Sequence, residues 1–164
     1  MRALHVSRKT MSISAAVIVV VIIALFVWSP WRTPPRTPTV TPTFSTLLPK
    51  DTTITKLGGW RKLASPDGTT AYVYSDAIDG TSISVSQQLF PDSLKDSDGT
   101  KLADMAKSFN ATKTITAGAA KVYIGTSASG PQSIIFSKNN ILVLIKSTAV
   151  IKDASWTSYI NSLQ

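Results

Sequence analysis

The sequence predicts an α+β fold: an antiparallel β-sheet of about five to six strands with two helices packed on one side of it. One transmembrane helix is expected to precede this domain. Three observations support the prediction: an uncharged apolar segment near the N-terminus, several short segments in which apolar and polar residues alternate, and two segments with helical apolar spacing. We expect residues 1–10 to form a cytoplasmic tail, 11–28 the transmembrane helix, 29–50 a Pro/Thr-rich linker and 51–164 an extracytoplasmic domain.

The first element is the apolar segment Met11–Trp28, which contains no charged residue. About 18–20 apolar residues in a helix are enough to cross the hydrocarbon layer of a membrane. Trp28 and Trp31 fall where aromatic side chains lie at a membrane interface, and Pro30 ends the helix. A cleaved signal peptide is the alternative, but the exit sequence lacks the small-x-small pattern of a cleavage site. The segment is therefore predicted to be an uncleaved anchor.

Basic residues on the two sides of this segment predict its orientation. Arg2, Arg8 and Lys9 precede it, whereas Arg32 and Arg36 follow it. The larger positive cluster stays on the cytoplasmic side of a membrane. We therefore expect a single-pass protein of the cell membrane with a cytoplasmic N-terminus and an extracytoplasmic C-terminal domain.

The linker Ser29–Lys50 contains six of the nine prolines. Thr-Pro repeats favour an extended polyproline II path, which is typical of a spacer. Residues 50–164 carry twelve Lys or Arg against nine Asp, so most of the formal net charge of +8 belongs to the N-terminal part. This distribution does not favour nucleic-acid binding.

Alternating residues predict the first strands of the domain. In Thr81–Leu89, Ile83, Val85 and Leu89 share one face while serines occupy the other. Thr70–Ser75 precedes it across a loop at residues 76–80 that contains Asp and Gly. The two segments are predicted to form a hairpin.

Three more strands are predicted at Lys121–Ser127, Gln132–Ser137 and Ile141–Ser147. The pair Asn139-Asn140 suits the positive-φ positions of a two-residue turn. Residues 141–145 (ILVLI) are apolar at every position, which predicts a central strand covered on both faces.

Helical spacing predicts the remaining elements. Thr100–Phe109 places Leu102, Met105, Ala106 and Phe109 on one stripe, with Asp98 or Thr100 as its start signal. Ala154–Leu163, with Asp153 as its cap, does the same for a second stripe. That stripe is expected to pack in the core; its members are Trp156, Tyr159, Ile160 and Leu163.

Two parts of the sequence resemble each other. Residues 71–74 (AYVY) and 120–123 (AKVY) each precede a turn containing Gly and then a Ser-Ile pair, Ser82-Ile83 or Ser133-Ile134. The similarity suggests a duplicated ββα unit.

The segment Val122–Leu163 also resembles the C-terminal part of small uncharacterised bacterial domains that are displayed behind a single N-terminal membrane anchor. In those domains an apolar strand ending in Lys-Ser leads into a last helix, as Ile145-Lys146-Ser147 does here. The resemblance covers about a quarter of the chain. It implies an extracytoplasmic, envelope-associated or sensory role and brings no catalytic residue.

Residue types limit the chemistry. The chain has no Cys and no Glu, and its single histidine, His5, lies in the predicted tail. Serine triads, thiol nucleophiles and zinc sites that need imidazole or thiolate are therefore excluded from the domain. Ser-Lys or Asp-Asp pairs remain, but no motif selects one, so we predict no enzyme and no cofactor.

The acidic segment Pro91–Gly99 contains Asp92, Asp96 and Asp98, which suggests a calcium loop. The final Glu of such a loop is missing and Lys95 offsets the charge, so a turn and helix cap is the preferred interpretation and no metal is predicted.

One candidate binding surface remains. Tyr72, Tyr74 and Tyr123 lie on predicted strands, and Lys121 is beside Tyr123. If the tyrosines point outward beside Lys121 they form a recognition patch; otherwise a helix or the N-terminal strand covers them.

These observations predict a membrane-anchored extracytoplasmic binding or interaction module. Its expected partners are the lipid bilayer, through Met11–Trp28, and an envelope protein or an anionic polymer. A carrier or chaperone for lipids or other apolar ligands is the first alternative, and an unrecognised hydrolase is the second.

Overall fold

The computed structural model describes residues 40–64, 69–96, 99–127 and 130–164. In these residues seven antiparallel strands form one sheet in the order β1-β2-β3-β7-β6-β5-β4, with two α-helices. The strands are β1 (Arg61–Ala64), β2 (Thr70–Ile78), β3 (Thr81–Leu89), β4 (Ala111–Ala117), β5 (Ala120–Ser127), β6 (Gly130–Lys138) and β7 (Ile141–Ser147). The helices are α1 (Thr100–Ser108) and α2 (Asp153–Ser162), and a short 3-10 turn spans Asp92–Leu94.

The predicted α+β class and the antiparallel sheet are confirmed, but the sheet has more strands than predicted. The two strands that the sequence did not reveal, β1 and β4, form its two edges. β1 is only four residues long. β4 (ATKTITA) contains a single large apolar residue, because an edge strand buries little of its surface.

Short hairpin turns connect most neighbouring strands. Asn139 and Asn140 have φ angles of 51° and 60°, which confirms the predicted turn between β6 and β7. Asp79 and Gly80 have φ angles of 50° and 78° and connect β2 to β3. Such left-handed pairs match the right-handed twist of the strands on either side.

The central strand β7 is covered on both faces, as its apolar sequence predicts. Val143 and Ile145 belong to the core beneath α2, and Leu142 belongs to a second core beneath α1. We call these two sides the α2 face and the α1 face. The prediction that both helices lie on one side is therefore wrong, because neighbouring residues of the central strands are apolar toward both faces.

The α2 face holds the larger core. Its fully buried members come from most strands and from α2 itself, and the largest are Trp156, Tyr72, Tyr74, Phe136, Ile83, Ile134, Ile145 and Ile160. α2 contacts both β2 and β4, which lie near opposite edges of the sheet. The sheet therefore curls around α2.

Residues Val40–Lys50, which we call the strap, pack against the α2 face. Leu47 is buried there, Phe44 packs edge-on against the Tyr72 ring, and Pro49 forms a β-bridge with Leu163. The linker was predicted to continue to residue 50, so the folded part begins at least ten residues earlier. Apolar side chains among the Thr and Pro residues account for this difference, because burial of Phe44 and Leu47 fixes the segment.

The helix starts differ from the sequence prediction in detail. The Asp96 carboxylate accepts hydrogen bonds from the backbone N–H groups of Gly99 and Lys101, at 2.9 Å and 2.6 Å, and so caps α1. Asp153 is the first residue of α2 rather than its cap, and its carboxylate pairs with Lys113 on β4. Both helical stripes lie in the core as predicted, although Phe109 and Tyr159 are half-buried.

The suggested duplication does not correspond to equivalent positions. Val73 lies on the α1 face and its counterpart Val122 on the α2 face, whereas Ile83 and its counterpart Ile134 both lie on the α2 face, so no single symmetry operation relates both pairs. A third strand, β7, also separates β6 from α2. The two similar sequences are therefore not two copies of one ββα unit.

The predicted anchor Met11–Trp28 lies outside the described residues. In the described part of the chain, none of the helices combines the length and the apolar character that crossing a membrane requires.

Candidate functional site

The three tyrosines of the predicted patch are buried. Tyr72 is 1% exposed, Tyr74 0% and Tyr123 7%. They do not form the exposed surface that the patch hypothesis required, because the strap and α2 cover one face of the sheet and α1 covers the other. Lys121 is exposed.

The structure also separates the four residues. Tyr72 and Tyr74 lie on the α2 face, whereas Lys121 and Tyr123 lie on the α1 face. The last two interact: the Lys121 ammonium lies 5.6 Å from the centroid of the Tyr123 ring. A cation at this distance from an aromatic ring gains a weak cation–π attraction.

A chain of hydrogen bonds joins Tyr74 to α2. The hydroxyls of Tyr74 and Tyr159 are 3.2 Å apart, and the Tyr159 hydroxyl donates to Asp76 Oδ2 at 2.9 Å. Burial raises the pKa of both phenols, and the neighbouring carboxylate of Asp76 adds to this effect. Both tyrosines therefore stay neutral in the folded protein, so this network positions α2 and is not a source of reactive phenolate.

A second network fixes the strap. The fully buried Gln87 side chain accepts a hydrogen bond from Leu47 N at 2.8 Å and donates from Nε2 to Leu47 O at 2.6 Å. One amide thus satisfies both backbone polar groups of Leu47. Sequence reasoning missed this contact, because Gln87 occupies a core position of β3 between apolar neighbours.

The one buried lysine of the described residues lies on the α1 face. Lys146 of β7 has Ser84 of β3 as its partner on one side and Ser133 of β6 on the other. The same row continues from Ser84 to Ser75 of β2. We call these four residues the serine–lysine row.

The row ends at Gly125 of β5, the partner of Ser133. A Cβ atom at Gly125 would lie 2.5 Å from Asn110 O and 2.8 Å from Ala111 N. The backbone that leads from α1 into β4 therefore closes this end of the row, and any larger residue at position 125 would displace it.

Burial controls the charge of Lys146. The residue is only 5% exposed, and this burial lowers its pKa to about 8. The amine is mostly protonated at neutral pH and loses its proton more readily than a surface lysine. Ser84 and Ser133 are half-buried, and as the cross-strand partners of Lys146 their side chains lie on the same face of the sheet.

This row can bind an oxygen-rich anion. A lysine ammonium has three N–H donors, and each serine hydroxyl adds another donor beside it. Hydrogen bonds from a charged donor to an anionic acceptor are roughly twice as strong as neutral ones. The arrangement therefore suits a phosphate or carboxylate group better than an apolar ligand.

The acidic segment after β3 forms a turn and a cap. Asp92 pairs with Lys95 at 2.6 Å, and Asp96 caps α1 as described above. Asp98 lies outside the described residues. The described part of the chain contains no group of three or more His, Cys, Asp or Glu side chains arranged to hold a metal ion.

Comparisons with known proteins add no family to this description. No family model matches the chain, and the searches of curated proteins and of solved structures also found no match.

One sequence signal marked the row. In Ile141–Ser147 (ILVLIKS), Lys146 is the single charged residue of a strand predicted to be covered on both faces. A charge at such a position is rarely buried without a polar environment. The pairing with Ser133 comes from the β6–β7 hairpin, whereas the pairing with Ser84 needs the β3–β7 register, which joins strands far apart in the sequence.

Proposed function

We propose that this protein is a single-pass, membrane-anchored extracytoplasmic binding module, associated with the cell envelope or acting as a sensor. The sequence of the anchor segment Met11–Trp28 and of the Pro/Thr-rich segment that follows it supports this location. Digestion of intact cells with an added protease tests the location: the domain should be cut, and full protection would contradict the proposal.

The serine–lysine row is the proposed binding site. The observation that carries this assignment is the burial of Lys146 between Ser84 and Ser133. Burying a charged side chain costs free energy that a purely structural strand position would avoid by using an apolar residue. We assign the ligand to the class of anionic polymers, whose phosphate or carboxylate groups accept hydrogen bonds from the row.

The test is calorimetric titration of the full chain in lipid nanodiscs with soluble polyphosphate. Lys146→Met should weaken binding at least tenfold, since it removes the charged donor while keeping a long apolar stem. Wild-type binding should also fall as the pH rises through about 8, where Lys146 loses its proton.

Lys62→Met is the matched control, because Lys62 is an exposed lysine on the edge strand β1. The affinity of this variant for polyphosphate should stay within about twofold of the wild-type affinity. Equal losses in the two variants, or affinity that does not change across pH 8, would show non-specific attraction to positive charge and contradict the assignment.

A hydrolase is the second candidate function, and the same row supports it. A serine hydroxyl beside a lysine of lowered pKa is an arrangement in which the amine can act as a base. Ester hydrolysis by the wild type that is abolished in Ser84→Ala or Ser133→Ala would favour the hydrolase. Absence of turnover together with Lys146-dependent binding would favour the binding module.

A further inference from the structure

The two edges of the sheet differ in how much backbone they expose. β1 is four residues long. Trp60, the residue directly before it, already accepts a backbone hydrogen bond from Val40 N. β4 is seven residues long, and Thr112, Lys113, Thr114 and Thr116 on it are exposed. An exposed edge strand presents N–H and C=O groups that can pair with another strand. β4 is thus the more accessible edge.

The turn between β4 and β5 determines which groups point outward. Gly118 and Ala119 form a two-residue turn, so the flanking residues Ala117 and Ala120 bond to each other. Hydrogen-bonded and non-hydrogen-bonded pairs alternate from there, which leaves the N–H and C=O of Thr114 and Thr116 on the outer side. In the described part of the chain, no hydrogen bond to these outward groups is found.

A second β4 strand fits this edge in one register. With a two-fold axis at Ile115, Thr114 of each copy bonds to Thr116 of the other, giving four backbone hydrogen bonds. This register uses only the regular part of β4, because the bulge lies between Ala111 and Lys113. It also pairs the half-buried Ile115 with its own copy, a contact between β-branched apolar side chains that stabilises sheets.

Charge favours the same register. Lys113 faces Ala117 of the other copy, so the two lysines lie at opposite ends of the paired strands. The Lys113 ammonium already pairs with Asp153 of α2 in its own copy. A register centred on Thr114 would bring the two lysines onto diagonal positions and would include the bulge, which makes it less favourable.

The surface of α2 beside β4 is compatible with a close neighbour. Apart from Asp153, which pairs with Lys113 of β4, four exposed or half-buried residues of this helix are small and uncharged: Ala154, Thr157, Ser158 and Asn161. Asn161 lies next to Gly118 in the β4–β5 turn. Surface helices normally carry charged residues on the outward face, and small residues permit two helices to approach closely.

The symmetry also agrees with a common direction for the two straps. A two-fold axis that relates antiparallel edge strands is perpendicular to the sheet, so it keeps the α2 faces of both copies on the same side. Each strap packs on its α2 face. Both chains would therefore enter their domains from one side, as two chains anchored in one membrane must.

We propose that β4 is the interface of a homodimer in which two sheets join across a two-fold axis at Ile115. The occupant of the edge is a second copy of this chain, and the proposal does not depend on the ligand of the serine–lysine row.

Disulfide crosslinking tests the register, and the chain is well suited to it because it contains no native cysteine. Ile115→Cys in the full chain in nanodiscs should form a covalent dimer at least ten times faster than Ser82→Cys, which lies on the exposed end of β3. Faster crosslinking of Thr114→Cys than of Ile115→Cys would overturn the proposed register. Equal slow rates for Ile115→Cys and Ser82→Cys would overturn the interface.

Proline at position 114 tests the hydrogen bonds. Thr114→Pro removes an outward N–H but none of the bonds to β5, so the edge strand can retain its fold. The dimer dissociation constant measured by sedimentation should rise at least tenfold, while the far-ultraviolet circular dichroism spectrum stays unchanged. Thr114→Val keeps the N–H and should dimerise as the wild type does. A monomeric wild type, or a Thr114→Pro variant that dimerises with unchanged affinity, would contradict the proposal.

Discussion

The two faces of the sheet differ in the kind of polar group that they bury. On the α2 face, amide and hydroxyl side chains link separate elements by hydrogen bonds: Gln87 holds Leu47, the Tyr159 hydroxyl contacts the Tyr74 hydroxyl and the Asp76 carboxylate, and Gln132 Oε1 accepts from both Ile151 N and Trp156 Nε1. The α1 face has a smaller apolar core and carries the buried Lys146. Satisfied networks give a face rigidity and a unique arrangement, and burial of a charged group costs free energy even when the group has partners. This difference in the buried groups is the reason why we propose the binding site on the α1 face.

The largest expected effect comes from a substitution that breaks a hydrogen-bond network on the α2 face. Gln87→Leu keeps a side chain of similar size but leaves Leu47 N and O without partners in a buried position. We expect a loss of about 2–4 kcal/mol in the free energy of unfolding, since each buried unsatisfied group costs about 1–3 kcal/mol. Urea denaturation of the full chain measures the loss.

The matched control for this variant is Gln88→Leu, because Gln88 is half-buried on the opposite face. It should change the free energy of unfolding by less than about 0.5 kcal/mol. Hydrogen exchange at Leu47 should accelerate only in the Gln87 variant. Similar losses in both variants would show that the Gln87–Leu47 contact contributes little.

The raised pKa values of two tyrosines on the α2 face predict how the stability of the fold changes at high pH. The pKa of Tyr74 and of Tyr159 is raised in the folded protein, so each stays protonated above pH 10, where the unfolded chain ionises. The unfolded state then binds fewer protons than the folded state, and stability must fall as pH rises above about 10. Tyr159→Phe should make this fall shallower. An unchanged slope would mean that Tyr159 ionises as freely in the folded state as in the unfolded one.

The smallest effect has the opposite sign and belongs to the α1 face. The pKa of Lys146 is lowered from 10.5 to about 8, so between these values the folded protein has released a proton that the unfolded chain retains. Stability should therefore rise from pH 8 toward pH 10. Lys146→Met should reduce this rise, to which Lys138 also contributes because burial lowers its pKa, and should stabilise the protein at pH 7 by about 1 kcal/mol. A destabilised variant at pH 7 would show that the lysine supports the fold rather than a site.

The sequence was most informative where local pattern and tertiary burial agree. Residues 141–145 are apolar at each position because β7 is covered on both faces, and the Asn139-Asn140 pair adopts the left-handed turn that two asparagines suit. β4 escaped prediction because its Thr and Lys residues reflect an exposed edge, where pairing with β5 rather than burial maintains the strand. Which face each helix covers depends on how the chain passes from β3 through α1 to β4, and from β7 into α2. No local sequence pattern contains that information.

The candidate site was predictable only in part. A single lysine in a covered strand is visible in the sequence, and the shortage of imidazole, thiol and glutamate groups limits the chemistry. The neighbours Ser84 and Ser133 are ordinary alternating residues of their own strands, so nothing local distinguishes them from other serines. The tyrosines illustrate the reverse case: Tyr72 and Tyr123 alternate correctly for strands, but alternation cannot identify an exposed face when both faces are covered.

The attachment of the strap has a consequence for the order in which the protein is made. Leu48 bonds in both directions with Gln164, and Lys50 N donates to Ser162 O, so the strap is held by residues that are translated long after it. Gln87, which fixes Leu47, also follows it in synthesis. The strap must therefore remain undocked while the sheet is being translated, and its Thr and Pro residues keep it extended and soluble during that interval. Docking of the strap therefore requires that the sheet, α2 and the residues that follow α2 have already been translated.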